Sequence, residues 1–390
     1  MIYIADTRMP TEMAHGLQIM KMCEAFVKNG ADLELIVPLR FGISKIAKRD
    51  PFDYYKVERI FKIRKIFCFD LTPLNRFLGP VSYLVQALSF SFFASIYLLF
   101  KKTDIIYSRD RFSLFFLALF LSRSPRCEAG RKADKKNIVF EMHKIHKSLF
   151  KFLLKRVKKI VVITNGLKSV LRNRGIGEDK IIVAPDGIDL EDFIIQETKE
   201  ECRKKLGLPI DKKIVLYTGH LYKWKGVETL ALSSEFLDDD YLIVIVGGIK
   251  WYLSNFKKFV QKNNLRNIIC LGHRDYTEIP YFLKAADCLV LTGTKTSEIS
   301  DKFTSPMKMF EYMASKTPIV ASDLSSFREV LNEGNSVLIE PDNPEKLAQG
   351  IKKVLANLDI AHKISNQAFQ DVQKYAWQKR GERIIHNLAT

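Results

Sequence analysis

Two short stretches of this chain carry residue types that suit a sugar and a phosphate. The first, Tyr217-Thr218-Gly219-His220-Leu221-Tyr222-Lys223-Trp224-Lys225-Gly226, sits where an apolar run ends and a helical pattern begins. Glycine there lets backbone approach an anion, and a lysine just ahead of a helix adds a point charge to the field of the helix terminus. The second, residues 304–331, reads as a Thr-Ser-Pro loop feeding a helix with one acid, Glu311. A turn at Lys316-Thr317-Pro318 follows, then a buried strand Ile319-Val320-Ala321, then a helix entered through Ser322 with Asp323 as its N-cap. A carboxylate early in a helix, behind Ser305 and Pro306, suits a ribose diol beside a phosphate. The helix start offers N–H groups to the anion, and the carboxylate accepts from two hydroxyls. The competing readings are a surface turn at Lys225 and a Glu311 that only caps or solvates its helix.

Further candidates stand at other strand ends. Gly272-His273-Arg274 follows the apolar run Ile268-Leu271, and Arg274 is placed to contact a base or a phosphate. In the first half, Ser108-Arg109-Asp110-Arg111 ends a strand, with Arg109 a candidate for acceptor or phosphate. Residues 8–16 connect the first strand to the first helix and carry His15 and Gly16, and Glu141-Met142-His143 ends another strand. No D-x-D or other metal-ligand cluster stands at such a strand end, so no metal is expected.

The elements that must hold these residues alternate along the chain. Apolar runs at Ile2–Ile4, Leu33–Val37, Asp104–Ser108, Asn137–Glu141 and Lys159–Thr164 are separated by helical patterns, beginning with Met13 to Asn29. Continuous apolar strands between helices imply an α/β fold with a parallel sheet covered on both faces. The second half repeats the scheme at Lys213–Tyr217, Tyr241–Val246, Ile268–Leu271, Cys288–Leu291, Ile319–Ala321 and Ser336–Ile339. Two doubly wound sheets in tandem are therefore expected, each with its ligand crevice at the carboxyl ends of the strands. Asp186-Gly187-Ile188-Asp189 reads as the turn between them, and Ile364 to Leu388 as a closing helix.

At 390 residues with 47% hydrophobic content and 13 prolines, the chain has the size of two ordered domains. Lys and Arg number 62 against 44 Asp and Glu, a net +18, which favours an anionic partner. Seven cations and no acid lie between His143 and Lys159, interleaved with Leu149, Phe150, Phe152, Leu153 and Leu154. A second basic stretch runs from Arg40 to Lys65, again mixed with Phe and Ile. That mixture suits an anionic membrane surface better than a nucleic-acid groove, so no nucleic-acid partner is expected. The 6 cysteines, Cys127 among them, show neither zinc spacing nor a disulfide framework, and the first residues lack the pattern of a signal peptide. A cytoplasmic protein, peripheral on the inner face of the cell membrane, is the expectation. Val81 to Phe100 is uncharged and long enough to span a bilayer, but its recurring Ser and Gln point to a buried or half-buried helix.

The chain resembles glycosyltransferase family 4, also called glycosyl transferases group 1, the retaining enzymes of the two-domain GT-B fold. Gly219, Leu221, Lys225 and Gly226 match the family's diphosphate loop, with His220 in place of its arginine. Residues 304–331 are similar to the donor-sugar-nucleotide site. The resemblance implies two facing Rossmann-like domains, an acceptor domain at 1–185 and a donor domain at 186–365, with 366–390 crossing back onto the first. It implies catalytic roles for His143, Lys225 and Glu311, and substrate contacts from His15, Gly16, Arg109, Gly219, His220, Arg274, Ser305 and Pro306. It further implies no cofactor beyond the donor substrate, a nucleoside-diphosphate sugar, and a glycan or lipid-linked acceptor. One departure matters: the family's acid pair is incomplete, because Phe303 stands eight positions before Glu311, leaving Glu298, Asp301 or amides near Ser305 as substitutes. A nucleotide-sugar epimerase and a non-enzymatic basic membrane or nucleic-acid binding protein remain the alternative readings.

Overall fold

The computed structural model describes residues 1–41, 46–120, 137–145 and 150–389, without the side chains of residues 150, 151 and 389. Cys127, Lys147, Leu149, residues 42–45 of the Arg40 to Lys65 stretch, and the Phe150 and Lys151 side chains lie outside the described residues. The chain forms two compact units: Met1–Ile163, Leu167–Pro185 and Trp377–Thr390 in the first, Thr164–Gly166 and Asp186–Ala376 in the second.

In the first unit, seven strands form one parallel sheet: β1 (Ile2–Ile4), β2 (Glu34–Pro38), β3 (Lys62–Ile66), β4 (Ile105–Ser108), β5 (Asn137–Met142), β6 (Lys159–Val162) and β7 (Ile181–Val183). Their order, β3-β2-β1-β4-β5-β6-β7, reverses direction beside β1. β3 escaped the sequence reading because it is an exposed edge strand whose Lys-Ile-Arg-Lys-Ile looks like a charged surface. It is held through Arg64, whose Nε pairs with Glu34 on β2 at 2.5 Å.

The chain's end closes this unit. The segment expected as one helix from Ile364 is two, Leu358–Val372 and Trp377–Ala389, because Ala376 is extended and bridges to Ile188 instead of continuing the spiral. The Trp377–Ala389 helix lies against the Ala14–Lys28 helix, and Gly381 permits the approach: a Cβ there would stand 3.0 Å from the Ala25 Cβ. Its Arg380 reaches the sheet interior. The fully buried Glu141 accepts from Arg380 Nη2 at 2.7 Å, from Gln18 Nε2 at 2.6 Å and from the Tyr107 hydroxyl at 2.6 Å. Burial alone would push the Glu141 carboxyl up, but Arg380, His143 and Arg109 outweigh it and hold the group well below its ordinary value.

The second unit has six parallel strands: β8 (Lys213–Thr218), β9 (Tyr241–Val246), β10 (Ile268–Gly272), β11 (Cys288–Leu291), β12 (Ile319–Ser322) and β13 (Val337–Ile339). Their order is β10-β9-β8-β11-β12-β13. Alternate residues feed two cores. Ile214 and Leu216 join one with Phe310 and Met313, while Val215 and Tyr217 join the other with Leu230 and Ile351. Both faces are covered, as the unbroken apolar strands require. The helix expected after Ser322 is absent: residues 325–330 form turns, and Asp323 is no N-cap but pairs with Arg328.

The Glu141–Arg380 pair gives a stability prediction. Arg380→Leu leaves a carboxylate buried without its cation, which should cost about 3–5 kcal/mol in chemical denaturation near neutral pH. Adding Glu141→Gln should recover part of that loss. The sign follows from the depressed carboxyl: the pair's contribution is complete above the unfolded-state value and disappears as pH falls through the folded one. A loss that does not shrink on acidification would show that Arg380 acts through packing alone.

Candidate functional site

The second unit gathers its polar groups where its strand order turns back, between β8 and β11, at the carboxyl ends of both. Gly219 leaves β8 with φ +116°, a conformation suited to glycine, and a Cβ there would stand 3.3 Å from the Lys308 ammonium. The loop returns through Gly226, where a Cβ would come within 2.9 Å of the Gly293 carbonyl oxygen. The loops after β8 and β11 thus meet backbone to backbone, and the Thr292 hydroxyl donates to the Lys225 carbonyl at 2.8 Å. Between the glycines, the His220 ring stacks on Tyr222, which stacks on Trp224.

Two lysines converge on this turn. Burial lowers the Lys225 ammonium to about 8. Lys308, on the Met307–Ala314 helix, is driven further below its ordinary value, by burial first and by the positive charge of Lys225 second, with Glu311 opposing. Its Nζ donates to the Thr218 carbonyl at 2.8 Å and lies 3.5 Å from the centre of the Tyr217 ring. Glu311 stands three residues on, on the same face of the helix, and burial raises its carboxyl to about 7 against the pull of Lys308. The helix starts after Pro306 with no side chain capping it, so its first amides face the same need for an anion. Ser305, just ahead, accepts from the Asp186 amide at 3.2 Å. A pair of desolvated cations, an uncapped helix start and a buried carboxyl together can hold a diphosphate with a diol beside it.

Lys308 was overlooked in the sequence, although a Lys and a Glu three apart amid Met, Phe and Tyr is a signal for two charges on one buried helix face. The acids expected to replace the one missing at Phe303 serve elsewhere. Phe303 is buried in the core, and Asp301 accepts from the Ser325 amide and hydroxyl at 3.1 Å each. Glu298 is exposed beside Lys302 at 3.6 Å. Arg274 is exposed beyond the edge strand β10, with β9 between that strand and β8.

The first unit has its own cavity, of about 380 Å³, at the turning point between β1 and β4. Asp6, His15, Arg109, Asp110, His143 and Lys144 line it. His15 Nε2 lies 2.7 Å from the Thr7 hydroxyl, His143 Nε2 lies 2.8 Å from Glu141, and Arg109 binds Gln18. The Asp6 amide donates to Asp110 at 2.5 Å, and burial with the neighbouring Asp6 carboxylate raises Asp110 to about 7. Gly16 is buried beside Tyr55. A Cβ there would overlap the Tyr55 hydroxyl at 2.1 Å, so the space beside it is filled by protein.

The basic Lys144 to Lys159 stretch is less open than its composition suggests. Arg156 Nη1 donates to the Ala118 carbonyl at 3.2 Å, Lys158 Nζ to the Leu388 carbonyl at 2.5 Å and Lys159 Nζ to the Asp179 carbonyl at 3.0 Å. Those three tie elements of the first unit together, with Lys158 and Lys159 half-buried, while Lys144, Lys155 and Arg156 are exposed.

Comparison with known proteins places the geometry. Residues 198–371 match the family described as glycosyl transferases group 1. An uncharacterised glycosyltransferase of Methanocaldococcus jannaschii is 26% identical over 238 residues, 58% of this chain and 59% of that protein. The O-antigen chain mannosyltransferase RfbU of Salmonella typhimurium is 25% identical over 228 residues, 57% of this chain and 59% of that protein. The aligned part thus spans about three fifths of these relatives' length. Among solved structures, HepE of Anabaena in complex with UDP and glucose has a TM-score of 0.74 at 15% identity, covering 100% of this chain and 99% of its own. The paired parallel sheets and the family match in the second unit lead to one conclusion: the chain has the GT-B fold, and its residues 198–371 are similar to the glycosyl transferases group 1 family.

Proposed function

We propose that the chain is a retaining glycosyltransferase that moves a hexose-type sugar from a nucleoside diphosphate to an acceptor hydroxyl, without a required metal. The observation that carries this reading is the convergence of Lys225 and Lys308 on the Gly219 turn, beside an uncapped helix that bears Glu311. An ammonium lowered to about 8 by burial is still charged at neutral pH but short of hydration, so an arriving diphosphate supplies the counter-charge that water does not. In the proposed step the bond from the anomeric carbon to the diphosphate oxygen breaks, and a bond to the acceptor oxygen forms on the same face. The acceptor proton passes to the departing diphosphate. Lys225, Lys308 and the helix amides stabilise the charge that grows on the leaving group, a task otherwise given to a divalent ion. Glu311 holds the ribose hydroxyls. That HepE was solved with UDP and glucose, and that RfbU is named an O-antigen chain mannosyltransferase, supports a nucleotide-sugar donor and a glycan acceptor.

The first unit's cavity is the proposed acceptor site, with His15, Arg109 and His143 as its polar contacts. Its mixed lining of imidazoles, cations and the Asp6–Asp110 pair suits a polyhydroxylated head group that carries phosphate. The acceptor is proposed to be a lipid-linked or cell-surface glycan precursor, used at the cytoplasmic face of the membrane.

Incubation with uridine, guanosine and thymidine diphosphate sugars should give thermal stabilisation by one nucleotide class and slow donor hydrolysis, unchanged by chelator. Lys225→Ala should weaken nucleoside diphosphate binding by about 1.5–3 kcal/mol in calorimetry, with folding intact. Activity abolished by chelator would overturn metal independence, and an unaltered affinity would remove Lys225 from the site.

Glu311 makes a second prediction, on the empty protein. Its carboxyl is raised by burial, so its share of stability is complete below the unfolded value and is lost as pH rises through about 7. Glu311→Gln should therefore stabilise the empty protein at pH 8 by roughly 2–3 kcal/mol, and far less at pH 5. The same variant should bind the nucleoside diphosphate more weakly. Lower stability at pH 8 would mean the carboxylate is a structural anchor.

A further inference from the structure

The Pro80–Leu99 helix of the first unit shows apolar side chains both inward and outward. Towards the interior it turns Ala87, Phe90, Ala94 and Leu98 together with Ser82, Gln86, Ser91 and Ser95, all buried. The polar groups are matched there: Gln86 Nε2 donates to Asp6 at 2.8 Å, Ser91 meets the Ser113 hydroxyl at 3.2 Å and Ser95 donates to the Ser91 carbonyl at 2.7 Å. Outward it shows Val81, Leu84, Phe92 and Leu99, which recur at helical spacing on one stripe. The neighbouring Arg111–Phe120 helix does the same with Phe115 and Leu119. Edge-to-face contacts join the two, with Phe92 at 5.8 Å from Phe116 and 5.9 Å from Phe120, and extend through Phe93 to the half-exposed Phe67 and Phe69. Phe77 and Phe100 are 83% and 84% exposed at either end of the longer helix.

Water does not tolerate a surface of this kind without a purpose. Its charges indicate the occupant. From Leu71 to Thr103 the sequence contains no acid; exposed Arg76 and Lys102 flank the Pro80–Leu99 helix in sequence and exposed Arg111 opens the next helix, with Asp104 the exposed acid between them. A second protein copy gains nothing from a cationic margin facing its own image, whereas a bilayer with anionic headgroups satisfies both parts at once. We propose that the Pro80–Leu99 and Arg111–Phe120 helices form a surface that lies in the interface of an anionic lipid bilayer, apolar stripe among the upper acyl chains and cations at the headgroups. The helix lies on the membrane and does not cross it, since crossing would abandon the buried Gln86–Asp6 bond and the serines. Asp6 lines the cavity proposed for the acceptor, and so do Arg111 and Phe112 at the start of the second helix. The same two helices thus serve the cavity and the lipid surface. The inference rests on the reading of the acceptor as lipid-linked for its purpose, but its test does not.

Vesicles of phosphatidylcholine with about 30% phosphatidylglycerol should float with the full chain in the absence of nucleotide. About 0.5 M salt, which screens the cations, should weaken binding without abolishing it. Leu84→Ser with Phe92→Ser and Leu119→Ser should lower partitioning at least tenfold, while melting and nucleoside diphosphate affinity, measured without lipid, stay as in the parent. Val81→Trp should shift its emission to the blue on vesicles. Complete release by salt would leave only a charge contact elsewhere and overturn the proposal. So would a concentration-dependent dimer in sedimentation that the triple serine variant dissolves, with no binding to vesicles. Vesicle binding with no nucleotide affinity would leave this surface standing and remove the transferase reading.

Discussion

A parallel sheet covered on both faces has little place for a polar side chain except beyond its strand ends. Both units follow this constraint, and Glu141 within β5 departs from it only with a set of partners gathered around it. Within β8 the alternating residues Ile214, Val215, Leu216 and Tyr217 all enter a core, and the first polar side chain after them is Thr218 at the rim. The winding reverses beside β8 in one sheet and beside β1 in the other, and at each reversal neighbouring loops run to opposite sides. Chemistry is pressed into those two openings because the rest of the fold is apolar. Lys225 and Lys308 border one opening, Asp6 and Arg109 the other.

The cost of this placement is electrostatic. Lys225, Lys308 and Glu311 are each held away from their ordinary ionisation by loss of water, and Asp110 likewise in the first unit. A group that folding disfavours in its charged form is kept for what it does when a partner offsets the lost hydration. Glu141 shows the opposite solution: equally buried, it is surrounded by Arg380, Gln18, Tyr107 and His143, and its negative charge becomes part of the scaffold. The contrast separates a structural buried charge, with its partners complete, from the charges at the Gly219 turn.

The sequence disclosed the fold through its unbroken apolar strands and the site through glycines at strand ends. It misled where a local pattern had two physical outcomes. Ser322-Asp323 has the look of a helix start, yet Asp323 found Arg328 and the chain took turns instead. Lys62–Ile66 has the look of a basic surface, and as an edge strand it is one. The closing helix was read through Ala376, because no proline or glycine announces a break that tertiary pairing with Ile188 imposes. Lys308 was hidden by its neighbours: a lone cation among Met and Phe is legible as a site only when the carbonyl it reaches, ninety residues earlier at Thr218, is known.

The twenty uncharged residues from Val81 show the same limit from the other side. Composition could say only that the segment avoids charge, which a core helix and a bilayer helix share. Its serines and its one glutamine argued for burial, and burial is where they went. The burial was therefore read correctly but only half of the pattern was seen, because Phe90, Ala94 and Leu98 face protein with the polar groups while a second apolar stripe faces outward. An outward apolar stripe is stable only if the polar interior is matched, and Gln86 on Asp6 and the Ser91–Ser113 contact supply that match. The buried Phe90, Ala94 and Leu98 together with these hydrogen bonds keep the helix on the protein and leave its other face turned outward.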